Sequence, residues 1–419
     1  MSENIIIQNS ELLEDERDMP ISLAKLFLIF LKIGSLAFGG FMALISVIEE
    51  SIVKQHKLLE HRDMLDGIAL ATLLPGPMAV NVVAFAGYKI RGKLGAIVAT
   101  TAVILPSFIL ILTLSFIYFN YGEVAGFGSI FQGFLPAIAA IVISVVWRLG
   151  KKTLTGKIEL FLAVLSAAIF FILPLQYKIY APLLLFGFAG LIGFKLFYKP
   201  LGVESSTSPL TNVINIKLLL TLAFFISLIV IWFLPLPLEK NSLLFLTLTF
   251  ASMSLMLFGG GYVFIPIMGS IVVLKYGWLT QQQFIDGIAL GQVTPGPIII
   301  SATFIGYKVS GIWGAICATI AIFSVPALLM ITVSQWLGAI QRSPGIQAAM
   351  KGIHCVVIGM IFVAALIILK SAFPVWPISI SGAWPTIFIF IAALIALLKF
   401  NLDLIWVIPV SGLLGYVFL

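Results

Sequence analysis

Residues 94–119 run without a single charged side chain, and stretches of the same kind recur along the whole chain. A helix needs roughly 20 mostly apolar residues to cross the hydrocarbon core of a bilayer. In lipid the backbone must satisfy itself, which leaves helices or a closed barrel. The runs are continuous rather than alternating, so they read as helices. With 61% hydrophobic and only 10% charged residues, nothing remains to build a soluble domain. The expected fold is an all-α polytopic membrane protein.

Candidate spans fall near 21–48, 64–88, 94–119, 128–147, 158–174, 180–198, 216–234, 243–270, 284–306, 312–338, 346–369, 383–398 and 403–419. That predicts about 13 transmembrane helices. Residues 1–20 carry Glu11, Glu14, Asp15, Glu16 and Asp18 and lack the basic start and apolar core of a cleaved signal. They read as an acidic cytoplasmic tail. The polar stretch Leu201–Asn212 marks a connector.

If all 13 spans cross, Lys and Arg in the connectors divide fourteen against seven. The richer side belongs in the cytoplasm, which puts the N-terminus inside and the C-terminus outside. The net charge of +7 is therefore an orientation signal and requires no nucleic-acid partner. The two cysteines, Cys317 and Cys355, and the three histidines form no ligand pattern. Neither a metal site nor a cofactor is expected.

The chain repeats itself. Phe38–Pro77 aligns without a gap on Phe258–Pro297, with 14 identities in 40 positions. Shared are "FGG" (Phe38–Gly40, Phe258–Gly260), "DGIAL" (Asp66–Leu70, Asp286–Leu290) and the triplet "PGP" (Pro75–Pro77, Pro295–Pro297). One residue drops out, after which "GYK" recurs (Gly87–Lys89, Gly306–Lys308), and "GAIVAT" (Gly95–Thr100) returns as "GAICAT" (Gly314–Thr319). The organisation read from this is repeat 1 over 21–200, a connector with one unpaired span over 201–240, and repeat 2 over 241–419. Six spans per repeat plus one unpaired span make the repeats inverted, an arrangement typical of transporters with a midplane site. If each PGP segment instead enters and leaves on one side, five crossings per repeat would make the copies parallel.

Each PGP must break a helix. Proline lacks an N–H and obstructs the preceding turn. Gly76 and Gly296 supply unusual dihedrals, and Pro77 and Pro297 suit the first turn of a new helix. The break leaves N–H groups unpaired at Met78, Ala79 and Val80, and at Ile298 and its neighbours. A helix N-terminus carries about half a positive charge and offers an anion site. Thr72, Asn81, Gln292, Thr294 and Ser301 cluster at the same level. Gly39, Gly40, Gly259, Gly260 and Gly261 allow close backbone approach. Pro75 and Pro295 complete the candidate binding set.

Intramembrane charge is functional by default. Lys32 sits deep in the first span and is the candidate charge-balancing cation. Glu49, Glu50, Asp66 and Asp286 are the candidate proton carriers. A passive channel and a lipid-phosphate enzyme are the other classes weighed. No Ser/His or His/Asp set lies near the breaks, so no enzymatic activity is expected.

The segments "FLKIGSLAFGG" (Phe30–Gly40), "LLPGP" (Leu73–Pro77), "GYKIRGKLGA" (Gly87–Ala96), "LFGGGYVFIP" (Leu257–Pro266) and "TPGPIIISATFIGYKVSGIWGA" (Thr294–Ala315) resemble the chromate ion transporter family across both halves. The resemblance implies a multi-pass carrier of the prokaryotic inner membrane. It would expel chromate, a tetrahedral oxyanion similar to sulfate, by proton-coupled alternating access. The expected partners are thus the oxyanion, protons and lipid, with room for a homodimer. The sequence departs from the family where "MGSIVV" (Met268–Val273) stands in place of acidic residues.

Overall fold

The computed structural model describes residues 21–38, 41–121, 127–174, 177, 180–198, 223, 225–228, 230, 238–258, 261–336, 343–372 and 380–419. The acidic tail, the connector Leu201–Asn212 and most of the unpaired span 216–234 lie outside the described residues. Among the described residues every regular element is helical. Among the described residues four helices are long and apolar enough to cross a membrane, and several shorter ones are apolar. The chain is a helical, multi-pass membrane protein.

Repeat 1 opens with α1 (Leu23–Leu36), capped by the Ser22 hydroxyl, which accepts from Lys25 N–H. Then α2 (Phe41–Ile48) runs into a π-helical turn, Glu49–Gln55. Next come α3 (His61–Leu73) and the long α4 (Met78–Tyr121). Three further helices follow, α5 (Phe127–Thr153), α6 (Lys157–Ile172) and α7 (Ala181–Phe197). Repeat 2 restates the pattern. Its α8 (Leu243–Ser254) precedes α9 (Phe264–Gly269), which is flanked by a 3-10 turn and a π-helical turn, Ser270–Lys275. A capping box of Thr280 and Gln283 starts α10 (Gln281–Val293). Last are α11 (Ser301–Val333), α12 (Pro344–Ala372), α13 (Ile380–Leu398) and α14 (Leu404–Phe418).

The PGP segments do not cross. Gly76 and Gly296 adopt φ of +113° and +106°, which turns the chain back rather than kinking it forward. Gly67 of α3 packs on Phe85 of α4, and at the equivalent place Gly287 of α10 packs on Phe304 of α11. Lys89 Nζ lies 3.1 Å from Asp63 Oδ1. Residues on either side of the break could not meet in this way along a single span. The segments 64–88 and 284–306 are hairpins, so neither is the single straight span that the 13-crossing count made of it. Hydropathy could not reveal this, because both arms are as apolar as a span.

The opening segment of repeat 2 turns back as well. Phe245, at the start of α8, has its ring 5.2 Å from that of Tyr276 and 6.3 Å from that of Trp278, which follow the π-helical turn.

The long helices reverse once more, at Arg91–Gly92 and Ser310–Gly311, where the dihedrals leave the helical region. The reversal presses Gly87 against Gly95 and Gly306 against Gly314 with no space for a Cβ. In repeat 2 the Thr303 and Thr319 hydroxyls pair at 2.7 Å. In repeat 1 the place of Thr303 is taken by Ala84, and Thr100 Oγ1 is buried without a partner.

The second arm of α4, residues 93–121, extends about 40 Å at 1.5 Å per residue. Its start adjoins the base of the first PGP hairpin at Asp63–Lys89. Its end adjoins the base of the second. Tyr118 donates to Asp286 Oδ2 at 2.7 Å, and Phe119 stacks on Tyr307 at 6.0 Å.

Packing divides the helices into two bundles. In one, α4 lies along α1, α3 and α11, and α8 lies along α11. In the other, α12 packs against α5, α6 and α7, while α5 packs against α13 and α14. Contacts between small residues hold the second bundle: Gly133 meets Gly415 and Gly193 meets Gly352 with no room for a Cβ. Close backbone approach of this kind is how helices associate without a hydrophobic driving force.

Candidate functional site

The PGP tips are built from backbone first. The Gly76 N–H donates to the Leu257 carbonyl at 2.7 Å, and the Gly296 N–H donates to the Ala37 carbonyl at 2.8 Å. Ala37 and Leu257 immediately precede the two FGG motifs. Each PGP tip is therefore pinned to the FGG segment of the other repeat, by the same bond made twice. Gly76 also packs against Pro326, and Gly296 against Ser107. Those two residues occupy equivalent places in α11 and α4, so this contact is exchanged between the repeats too.

Pinned in this way, the new helix starts face a common space. Pro77, Met78, Ala79, Pro297, Ile298 and Ile299 line one cavity together with Gly261 and Tyr262. The cavity encloses about 20 Å³, room for about one water. The first N–H groups of both helices have no intrahelical acceptor, and both helix dipoles present their positive ends here.

Each break also frees a proline carbonyl. Asn81 is fully buried, and its Nδ2 donates to the Pro75 carbonyl at 3.2 Å. In repeat 2 the Pro295 carbonyl accepts instead from the Ser107 hydroxyl, a residue of repeat 1. Near the breaks, Asn81 Oδ1 and Gln292 Nε2 are buried without partners. Gln292 interacts with the Tyr262 hydroxyl, although its Nε2 completes no hydrogen bond.

The predicted hydroxyls are otherwise engaged. Thr72 Oγ1 donates to the Ala69 carbonyl at 2.6 Å, Thr294 Oγ1 to Gly291 at 2.9 Å, and Ser301 Oγ to Ile298 at 2.9 Å. Each hydroxyl has a single hydrogen, and here it closes the helix end. Gly39, Gly40, Gly259 and Gly260 lie outside the described residues.

Lys32 is not brought to the cavity. The buried stripe of α1 is Leu26, Ile29, Phe30, Ile33 and Gly34. Lys32 falls on the opposite, exposed face beside Leu28 and Leu36. Helical position alone placed it deep in the membrane, and rotation about the helix axis turned it outward.

The carboxylates separate equally clearly. Glu50 pairs with Lys54 at 3.0 Å and Glu49 with His61 at 3.2 Å, all at the protein surface. Asp66 is half-buried. Asp286 is only 2% exposed and holds two neutral donors, Tyr118 at 2.7 Å and Gln282 at 2.9 Å. Sequence reasoning passed over Tyr118, Tyr262 and Ser107. Tyr262 directly follows the three glycines of repeat 2, a signal available in the sequence. Tyr118 and Ser107 gave none, because their partners lie in the other repeat.

The profile of the family described as "Chromate transporter" matches residues 24–194 and 244–416. The chain belongs to the chromate transporter family. A chromate transport protein of Cupriavidus metallidurans is 28% identical over 358 residues, 84% of each chain. One of Pseudomonas aeruginosa is 29% identical over 352 residues, 82% of this chain and 80% of the relative. An uncharacterized transporter of Methanocaldococcus jannaschii is 28% identical over 407 residues, 97% of this chain and 96% of the relative. No solved structure matches the chain. Membership makes this member of the chromate transporter family a transport protein of the membrane, and the paired tips are one place where its two repeats meet.

Proposed function

We propose that this protein exports a small tetrahedral oxyanion, chromate first, coupled to protons and by alternating access. The observation that carries the reading is the convergence of two helix N-termini on one buried cavity. Such a site offers backbone donors to an anion without burying cations at high cost. A cavity for about one water is a closed state, so the tips must part for an oxyanion to enter. That favours a carrier over an open channel. The bundle bearing the PGP tips is the part we assign to movement, with the other bundle as its frame.

We read the repeats as inverted. Two features support this: the hairpin bases adjoin opposite ends of one helix arm of about 40 Å, and, with 21–48 taken to turn back as its counterpart 243–270 does, re-entrant segments leave an even number of crossings in each repeat. Redistributing the charges for this topology moves Lys54, Lys57 and Arg62 to the side of Lys89 and Arg91, and Lys275 to the other. Sixteen basic residues then face five. The positive-inside rule puts the base of the first PGP hairpin in the cytoplasm of a prokaryotic inner membrane, with the C-terminus outside.

The test is flux of radiolabelled chromate and sulfate in proteoliposomes, with and without a pH gradient. Saturable flux that responds to the gradient is expected. Flux linear in concentration and indifferent to pH would make the protein a passive pathway.

A further inference from the structure

We infer that His354 is a positioning residue for the first PGP tip. Its imidazole ties the hairpin to the frame bundle while the tips are together, and it lets go as they part. The tie stands on hydrogen bonding alone, whereas the letting go rests on the reading of the tips as the moving part of a carrier.

The tie follows from what the break leaves unpaired. In a helix each carbonyl accepts from the N–H four residues further on. The carbonyls of Ala71 and Leu73 would need Pro75 and Pro77, which have no N–H. The Thr72 carbonyl would need the Gly76 N–H, which is spent on the Leu257 carbonyl. The Thr72 hydroxyl offers no help, because its one hydrogen goes to the Ala69 carbonyl. The His354 imidazole makes the missing hydrogen bond, to the Thr72 backbone. Thr72 N–H lies inside α3, so the carbonyl is the acceptor and the imidazole donates. A donor at a helix C-terminus also meets the negative end of the helix dipole.

The bond joins the two bundles. Thr72 ends the first arm of the first hairpin, and His354 sits on α12, which packs against α5, α6 and α7. The second hairpin is held differently, because α10 packs directly along α5 and α14. By contrast α3 packs on α4 and on the π-helical turn of its own repeat. Repeat 1 also lacks the histidine. Gly133 meets Gly415 beside the Ser129 carbonyl, and Gly352 meets Gly193 beside the Ala348 carbonyl, so α5 and α12 occupy equivalent places. Two residues past each glycine stand Leu135 and His354. Leu135 is buried and has no donor to give. The frame is thus built on one side without this bond, and the histidine serves the first tip alone. With the frame fixed, parting the tips carries Thr72 away from α12, and water entering the parted site replaces the imidazole at the carbonyl. A bond made only in the closed state favours that state.

The experiment uses the full-length protein with His354→Leu, which copies the residue at Leu135, and with His354→Asn and His354→Gln. Asn places an amide N–H near the position of imidazole Nδ1 and Gln near that of Nε2, so one of them keeps the donor, and neither can titrate. In His354→Leu, amide hydrogen exchange at Met78–Asn81 should quicken about tenfold, the effect of one unpaired carbonyl. Exchange at Ile298–Ser301 should stay as in the wild type, and the matching amide variant should restore the first tip. In proteoliposomes, His354→Leu should lower the half-saturating chromate concentration and the maximal flux together. More of the protein then stands open to bind, while the closed state needed for turnover is rarer. Unchanged exchange at the first tip, equal acceleration at both tips, or failure of both amides to restore it overturns the tie. A half-saturating concentration that is unchanged or raised overturns the letting go. Absence of saturable flux in the wild type would instead overturn the transporter reading, and hydrogen exchange would still decide the tie.

Discussion

The two PGP tips share one backbone and differ in almost everything attached to it. Both glycines hold φ above +100° and donate to the carbonyl before the other repeat's FGG. Yet the Pro75 carbonyl is served by Asn81 from its own hairpin, and the Pro295 carbonyl by Ser107 from the opposite repeat. The glycines differ as well: Gly76 abuts the Pro326 ring, and Gly296 abuts the Ser107 hydroxyl. The duplicated backbone is what a break in lipid demands, since each freed group must find a partner. The side chains that provide those partners were free to diverge.

The largest expected effect is at the glycines. A Cβ at either position meets an unfavourable φ, about 1–2 kcal/mol, before any clash. At Gly296 the obstacle is a hydroxyl that can rotate, but at Gly76 it is a ring that cannot. Gly76→Ala should therefore abolish transport and lower thermal stability more than Gly296→Ala does. Equal melting temperatures for the two purified variants would show that the tips are equivalent after all.

Next comes Ser107→Ala, which leaves the buried Pro295 carbonyl unpaired at a cost of about 1–3 kcal/mol. Its effect should fall on the second tip alone. Hydrogen exchange at Ile298–Ser301 should quicken while exchange at Met78–Asn81 stays as in the wild type. Matched acceleration at both tips would mean that the two are mechanically one unit.

Asp286 and Asp66 hold the same place in the repeat; Asp286 is fully buried and bonded across the repeat boundary, whereas Asp66 is half-buried. Asp286→Asn keeps an acceptor for Tyr118 while removing the titration. Oxyanion flux should lose most of its response to a pH gradient in this variant. In Asp66→Asn the response should change less than about twofold, under 0.5 kcal/mol. The reverse ranking would move proton exchange to the first hairpin.

The smallest effect belongs to Lys32→Gln. On the exposed face of α1 it should alter chromate affinity by less than about twofold, again under 0.5 kcal/mol. A tenfold loss in concentration-dependent flux would restore Lys32 to the site.

The sequence by itself determined the solvent, the helical class, the duplication and the two PGP positions where the backbone must break. Each follows from residue type: apolar runs choose lipid, proline removes a donor, and glycine permits a reversal. Which way the chain leaves a break was decided only by packing. Gly67 on Phe85, Gly287 on Phe304 and Lys89 on Asp63 turn apparent spans into hairpins, and hydropathy is blind to direction because it sums residues without regard to their contacts. The same limit governs the site. Linear position gave Lys32, Thr72, Thr294 and Ser301 an expected depth, but depth does not fix the azimuth of a helix or the partner of a hydroxyl. Ser107, Tyr118 and Tyr262 act on groups brought to them by the other repeat or by another hairpin. Their roles exist only in the folded chain, where residues 188 and 168 positions apart hydrogen-bond.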